Sequence, residues 1–261
     1  MGKWALRLSV TFTTVLAAIT VGPAAHADAP VDYVALGDSY SSGTGATGAT
    51  GSCMRSPNGY PQLWANRHET SSFAFVACGG ATTDDVRATQ VASLSAGTDL
   101  VTITIGGNDA GFAAGAISCV LGSDQVCLGV VEAARAYIRT VLPGRLDRTY
   151  ADITARAPSA EVVVLGYPRL FETGACPGGL SLVKRQALNA AADDLASVTA
   201  ARAQAAGLTW ADTRPIFAGY GVCAGTPWIN RVNLLNLTST FHPNNAGYAS
   251  GYLPALENFT G

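Results

Sequence analysis

Five short runs of strand-forming residues, each nearly unbroken in apolar character, constrain this chain more than any other feature of its sequence. They cover residues 31–36, 73–77, 100–105, 161–165 and, more weakly, 208–211. A strand with one wet face alternates polar and apolar residues, whereas a strand buried on both faces does not need to. Helical stripes lie between the runs. Val130, Ala134, Tyr137, Ile138 and Val141 keep helical spacing up to Pro143, and Leu146, Tyr150 and Ile153 resume it before Pro158. Leu188, Ala191, Ala192, Leu195 and Val198 form another stripe, stopped by Gly207. A last helix is expected after Pro243, through Tyr248 and Leu253, although Gly247, Gly251 and Pro254 weaken it. This alternation predicts one doubly wound α/β domain, with a parallel sheet covered by helices on both sides. No internal repeat or interdomain linker interrupts it. Residues 41–52, rich in Gly, Ser and Thr, read as a long surface loop.

Residues 1–27 read as an export signal ahead of a single domain at 28–261. Lys3 and Arg7 give a positive start, residues 8–21 an apolar stretch, and Ala25-His26-Ala27 an A-x-A cleavage site. A membrane anchor is the competing reading, but the stretch is short and interrupted by Thr. The expected product is a secreted protein beginning at Asp28. All six cysteines lie beyond that point, and an even count behind an export signal favours disulfides over a zinc site. No C-x-x-C pair occurs, and six cysteines allow about fifteen pairings between which spacing alone does not choose. The formal net charge of −2 leaves no basic cluster for nucleic acid.

In an open parallel sheet, ligands bind beyond the carboxyl ends of the strands, where the strand order reverses. The loops leaving the first three runs read Gly37-Asp38-Ser39-Tyr40-Ser41, Cys78-Gly79-Gly80-Ala81-Thr82 and Gly106-Gly107-Asn108-Asp109. Each sets glycine beside a group able to attack or to donate a hydrogen bond. A serine hydroxyl attacks only when a base takes its proton. Beyond the export signal the chain holds two histidines, His68 and His242. His68, in Asn66-Arg67-His68-Glu69, reads as the end of a surface helix. His242, in Phe241-His242-Pro243-Asn244, sits in a loop able to fold over the sheet edge, and is the expected base for Ser39. The G-x-S-x-G elbow of α/β-hydrolases is absent.

Gly37-Asp38-Ser39, Gly80, Gly107-Asn108-Asp109 and His242-Pro243 resemble the four ordered blocks of the SGNH (GDSL-type) hydrolases. The longer stretches 33–43 and 105–112 resemble the secreted bacterial lipase, esterase and phospholipase A1 branch. The resemblance implies a flavodoxin-like three-layer α/β/α sandwich with strand order 2-1-3-4-5. It also implies Ser39 as nucleophile, with oxyanion donors at Ser39, Gly80 and Asn108. Physically, attack on an ester carbonyl builds negative charge on oxygen, which two backbone N–H groups and a side-chain amide can stabilise. Asp38 and Asp109 are expected to fix their loops by bonding to backbone. The wider family carries Asp three residues before the histidine, where this chain has Ser239. The expected arrangement is therefore a Ser-His dyad, with the carbonyl of Ser239 or Thr240 orienting His242. A remote carboxylate such as Asp212 is the alternative.

The pairing Cys53–Cys78, Cys119–Cys127 and Cys176–Cys223 follows partly from this resemblance; only Cys119 and Cys127 are close enough in sequence to suggest a small loop unaided. The expected activity is hydrolysis of fatty-acyl esters by a monomer that touches a lipid interface transiently. Phospholipase A1, carbohydrate acetylesterase and thioesterase activities are alternatives on the same site. A secreted flavodoxin-like binding module is the non-enzymatic alternative. No metal or cofactor is expected, since the chain has no H-E-x-x-H and neither a P-loop nor a G-x-G-x-x-G opens directly off the first strand. The segment 111–128 is expected to wall the pocket.

Overall fold

The computed structural model describes residues 1, 2, 4 and 29–260. The remainder of the expected export signal, and its cleavage point before Asp28, lie outside the described residues. The order of elements is β1 (Val31–Gly37), α1 (Ser39–Ser42), α2 (Tyr60–Ala65), β2 (Thr70–Phe75), α3 (Thr83–Asp85), β3 (Leu100–Thr104) and α4 (Phe112–Leu121). There follow α5 (Asp124–Thr140), α6 (Leu142–Arg156), β4 (Glu161–Leu165), α7 (Leu182–Ala205), β5 (Thr209–Ala211), α8 (Arg214–Phe217) and α9 (Leu253–Thr260).

The strands form one parallel sheet in the order β2-β1-β3-β4-β5. Every residue of β3 and the last five of β1 are buried, as central strands covered on both sides require. Helices α5, α6 and α7 pack together in one layer, while α2 and α9 pack together in the other. Strand order reverses around β1, so the loops after β1, β2 and β3 meet at one crevice.

Three local expectations are corrected. The second strand starts at Thr70 rather than residue 73, because it is an edge strand whose exposed Ser71 and Ser72 need no apolar partner. Residues 41–52 are not simply a surface loop: Ser41 and Ser42 end α1, and Ser41, Ser42, Thr44 and Ala46 are buried. Glycine lets this segment approach the site closely, since a Cβ on Gly45 (φ +98°) would lie 2.6 Å from the His242 Cβ. The chain after Pro243 first forms a π-helical turn, Gly247–Tyr252, and only then α9. Pro254 has no N–H to close an α-helical bond back to Ser250, and the Leu253 N–H reaches Tyr248 O instead.

The six cysteines form Cys53–Cys78, Cys119–Cys127 and Cys176–Cys223. The first ties the Gly-rich loop after α1 to the turn after β2. The second joins α4 to α5, and the third joins the loop after β4 to the loop after α8.

Candidate active site

Ser39 stands where β1 gives way to α1. Gly37 ends the strand with φ +121°, and the Gln90 side chain holds it on both sides. Gly37 N donates to Gln90 Oε1 at 2.7 Å, and Gln90 Nε2 donates to Gly37 O at 2.9 Å. Asp38 caps α1, its Oδ1 accepting from Tyr40 N at 2.9 Å, which leaves Ser39 as the first helical residue. Tyr167 donates its hydroxyl to the other Asp38 oxygen. Burial pushes the Asp38 carboxyl up to about 7, against the opposing hydrogen bonds from Tyr167 and Tyr40 and with the Asp109 charge adding to the rise.

The other two loops converge on the same point. Asp109 accepts from Thr83 N at 2.9 Å and from Thr83 Oγ1 at 2.6 Å, pinning the third loop to α3. The Asn108 amide donates to Ala81 O at 3.0 Å, which sets its plane and leaves its second N–H free to serve the cleft. Gly80 adopts φ +85°, a conformation glycine adopts without strain. Neither Ser39 N–H nor Gly80 N–H has a hydrogen-bond partner among the described residues. Ser39, Gly80, Asn108 and His242 line one cleft of about 560 Å³.

The His242 Nε2 lies 2.8 Å from Ser39 Oγ, and Nδ1 lies 3.0 Å from Thr240 O. A carbonyl only accepts, so Nδ1 carries the proton and Nε2 is left to accept from the serine. Of the two carbonyls considered for this position, Thr240 faces the ring. Ser239 O instead takes the His242 backbone N–H at 3.2 Å. Asp212 is engaged elsewhere. Burial alone would lift its carboxyl, but bonds from the Arg214 guanidinium at 2.9 and 2.7 Å hold it below the usual carboxylate range. Burial pulls the His242 imidazole down to about 4, with the Thr240 and Thr238 carbonyls opposing, so the ring is a free base at neutral pH. His68 stacks on Trp64 with ring centroids 4.1 Å apart, beside Glu257 of α9, and takes no part in the cleft.

The cleft walls are apolar. Phe112, Ala113, Ala116, Ile117, Val120 and Leu121 come from α4, and Leu234 and Leu237 from the loop before His242. At its mouth Leu121 and Leu234 are 75% and 70% exposed. No charged residue occurs in α4. Its last turn is held by the Cys119–Cys127 bridge and by Lys184 of α7. The buried Lys184 Nζ donates to Cys119 O at 2.9 Å and to Gly122 O at 2.7 Å. Lys184→Met would leave those carbonyls without a partner and is expected to cost about 1–3 kcal/mol. A urea titration should read this as a lower midpoint at unchanged slope.

Sequence reasoning missed Gln90, Lys184, Tyr40 and Tyr167. Only Tyr40 and Tyr167 carried a usable signal, each lying just beyond the carboxyl end of a strand. Among the described residues, no group of three or more His, Cys, Asp or Glu is placed to hold a metal ion.

The model of the GDSL-like lipase/acylhydrolase family matches residues 35–250. Lipase 1 of Streptomyces coelicolor is 49% identical over 247 residues, covering 92% of each chain. The crystal structure of a phospholipase A1 from Streptomyces albidoflavus superposes with a TM-score of 0.86 at 46% identity, covering 88% of this chain and 99% of that one. That of an extracellular lipase from Streptomyces rimosus gives 0.85 at 50% identity, covering 87% and 99%. The fold, the four ordered blocks and these relatives agree: the chain belongs to the GDSL-like lipase/acylhydrolase family and is a carboxylic ester hydrolase.

Proposed function

We propose that this protein is an exported lipolytic esterase that acts through an acyl-enzyme on Ser39, with His242 as general base. The observation that carries this reading is the 2.8 Å contact between Ser39 Oγ and His242 Nε2 at the floor of an apolar cleft. As Ser39 Oγ attacks the ester carbonyl, its proton passes to Nε2. The carbonyl oxygen becomes an oxyanion facing Ser39 N–H, Gly80 N–H and the free N–H of Asn108. Collapse of this intermediate breaks the bond to the alcohol, which leaves with the proton from Nε2. Water, deprotonated by the same nitrogen, then attacks the acyl-enzyme and releases the fatty acid.

The cleft favours fatty-acyl over acetyl-sugar esters, because aliphatic side chains make up most of its wall, with Thr44, Ser52, Thr238 and Thr240 as the other polar lining. Phospholipase A1 activity is the second reading, favoured by the likeness to the Streptomyces albidoflavus enzyme. Exposed leucines at the mouth support transient contact with a lipid surface. Export rests on the N-terminal pattern and on the Streptomyces rimosus relative's being an extracellular lipase. A monomer suffices, since one chain supplies every group named.

The test uses protein recovered from culture medium, where its N-terminus is expected at Asp28. It is assayed on p-nitrophenyl esters of graded chain length, on triglyceride and on phosphatidylcholine. Medium and long acyl esters are expected to be cleaved best, and EDTA to have no effect. Preference for acetyl esters alone would refute the lipid reading.

A further inference from the structure

We propose that Tyr40 and Tyr167 are positioning residues whose hydroxyls tie the loops carrying Ser39, Asn108 and His242 into one unit. This rests on the catalytic roles proposed above for those three residues. One continuous path of hydrogen bonds carries it. Gly107 N–H donates to the Tyr167 oxygen at 3.0 Å, and the Tyr167 hydroxyl donates to one oxygen of the Asp38 carboxylate. The other oxygen accepts from Tyr40 N–H at 2.9 Å, and the Tyr40 hydroxyl donates to Phe241 O at 2.6 Å. The path begins one residue before Asn108, passes on both sides of Ser39, and ends at the peptide that precedes His242.

Each link is buried and directional. Tyr40 is 1% exposed and Tyr167 7%, with their rings edge-on at a centroid distance of 5.0 Å. Phe241 has φ +60°, a left-handed conformation that is strained for a residue with a bulky side chain. Such a conformation persists only where its surroundings over-determine it, and the Tyr40 hydroxyl holds that residue's own carbonyl. Fixing this peptide plane fixes the Cα from which the imidazole hangs, while the preceding carbonyl, Thr240 O, holds Nδ1. Where a triad would aim the ring with a carboxylate, this site aims it with backbone, and a tyrosine aims the backbone. At the other end, Gly107 allows the close approach: a Cβ there would lie 3.2 Å from the Tyr167 hydroxyl.

The competing account is that these hydroxyls merely satisfy themselves in the core. Tyr33 is the internal control, since its equally buried hydroxyl bonds Thr102 Oγ1 at 2.7 Å within the sheet. Tyr40→Phe, Tyr167→Phe and Tyr33→Phe are compared with wild type on p-nitrophenyl butyrate, alongside Ser39→Ala and thermal melts. A catalytic group displaced by about an ångström loses about 100-fold in rate. Tyr40→Phe is expected to lower kcat by about that factor with KM little changed, and Tyr167→Phe to lower it by about tenfold. Tyr33→Phe should lose comparable stability and keep its kcat. If Tyr40 acts through His242, Tyr40→Phe/His242→Ala will be no slower than His242→Ala alone. An unchanged kcat in Tyr40→Phe, or an equal loss in the His242→Ala background, overturns the proposal. Should Tyr40→Phe not fold, an unchanged kcat in Tyr167→Phe overturns it equally. Residual full activity in Ser39→Ala would instead defeat the catalytic reading on which it rests.

Discussion

Ser39→Ala is expected to lower kcat by about 10⁴-fold or more while leaving the fold intact. The Oγ has one hydrogen-bond partner among the described residues, His242 Nε2, and Ser39 is 8% exposed at the cleft floor. Alanine therefore removes the proposed nucleophile and one hydrogen bond and opens no core cavity. The helix around it keeps its cap, because Asp38 bonds Tyr40 rather than Ser39. The Ser39 N–H also remains, so the proposed oxyanion donors are untouched, and KM should move little. The measurement is kcat on p-nitrophenyl esters together with a thermal melt. Wild-type turnover in this variant would remove Ser39 from the chemistry, and a collapsed melt would show a structural role instead.

How much of this was legible in the sequence follows from what each residue is paid to do locally. The central strands were readable because burial on both faces demands apolar side chains, and Val101, Ile103, Val163 and Val164 answer to nothing else. β2 begins three residues ahead of its apolar run, because its first half is an exposed edge and follows no burial pattern. The Gly/Ser/Thr stretch after Ser39 misled for a different reason. Composition cannot separate an exposed loop from a buried one whose hydroxyls satisfy each other. Here Ser41 Oγ meets Tyr60, while Ser42 Oγ meets both Ser39 O and Thr44. The blocks around Ser39, Gly80, Asn108 and His242 were legible because each sits just beyond a strand end or in a short motif. Lys184 and Gln90 were not, since each partner lies 53 or more residues away and depends on the finished fold.

On the proposed mechanism His242→Ala should be nearly as damaging as the loss of Ser39, because residues that act as one unit have effects that are not additive. The question is what the neighbours of the ring contribute. A backbone carbonyl at 3.0 Å from Nδ1 fixes the tautomer as a carboxylate would, but lends no full charge to the imidazolium formed during attack. Ser239→Ala leaves every backbone carbonyl in place and removes a hydroxyl that donates to Asn236 O at 2.9 Å, so kcat should stay within about twofold. Without a carboxylate partner, only the Thr240 and Thr238 carbonyls oppose burial, which lowers the imidazole pKa from 6.5 to about 4. Protonation of Nε2 removes the base, so a lowered pKa moves the acid limb of kcat/KM to lower pH. One face of the ring opens on the cleft, and solvent there relieves part of the burial. The limb is therefore expected between about 4 and 6.5. A kcat/KM profile from pH 3.5 to 9 measures it, and a limb above 7 would mean that an anion stands beside the ring after all.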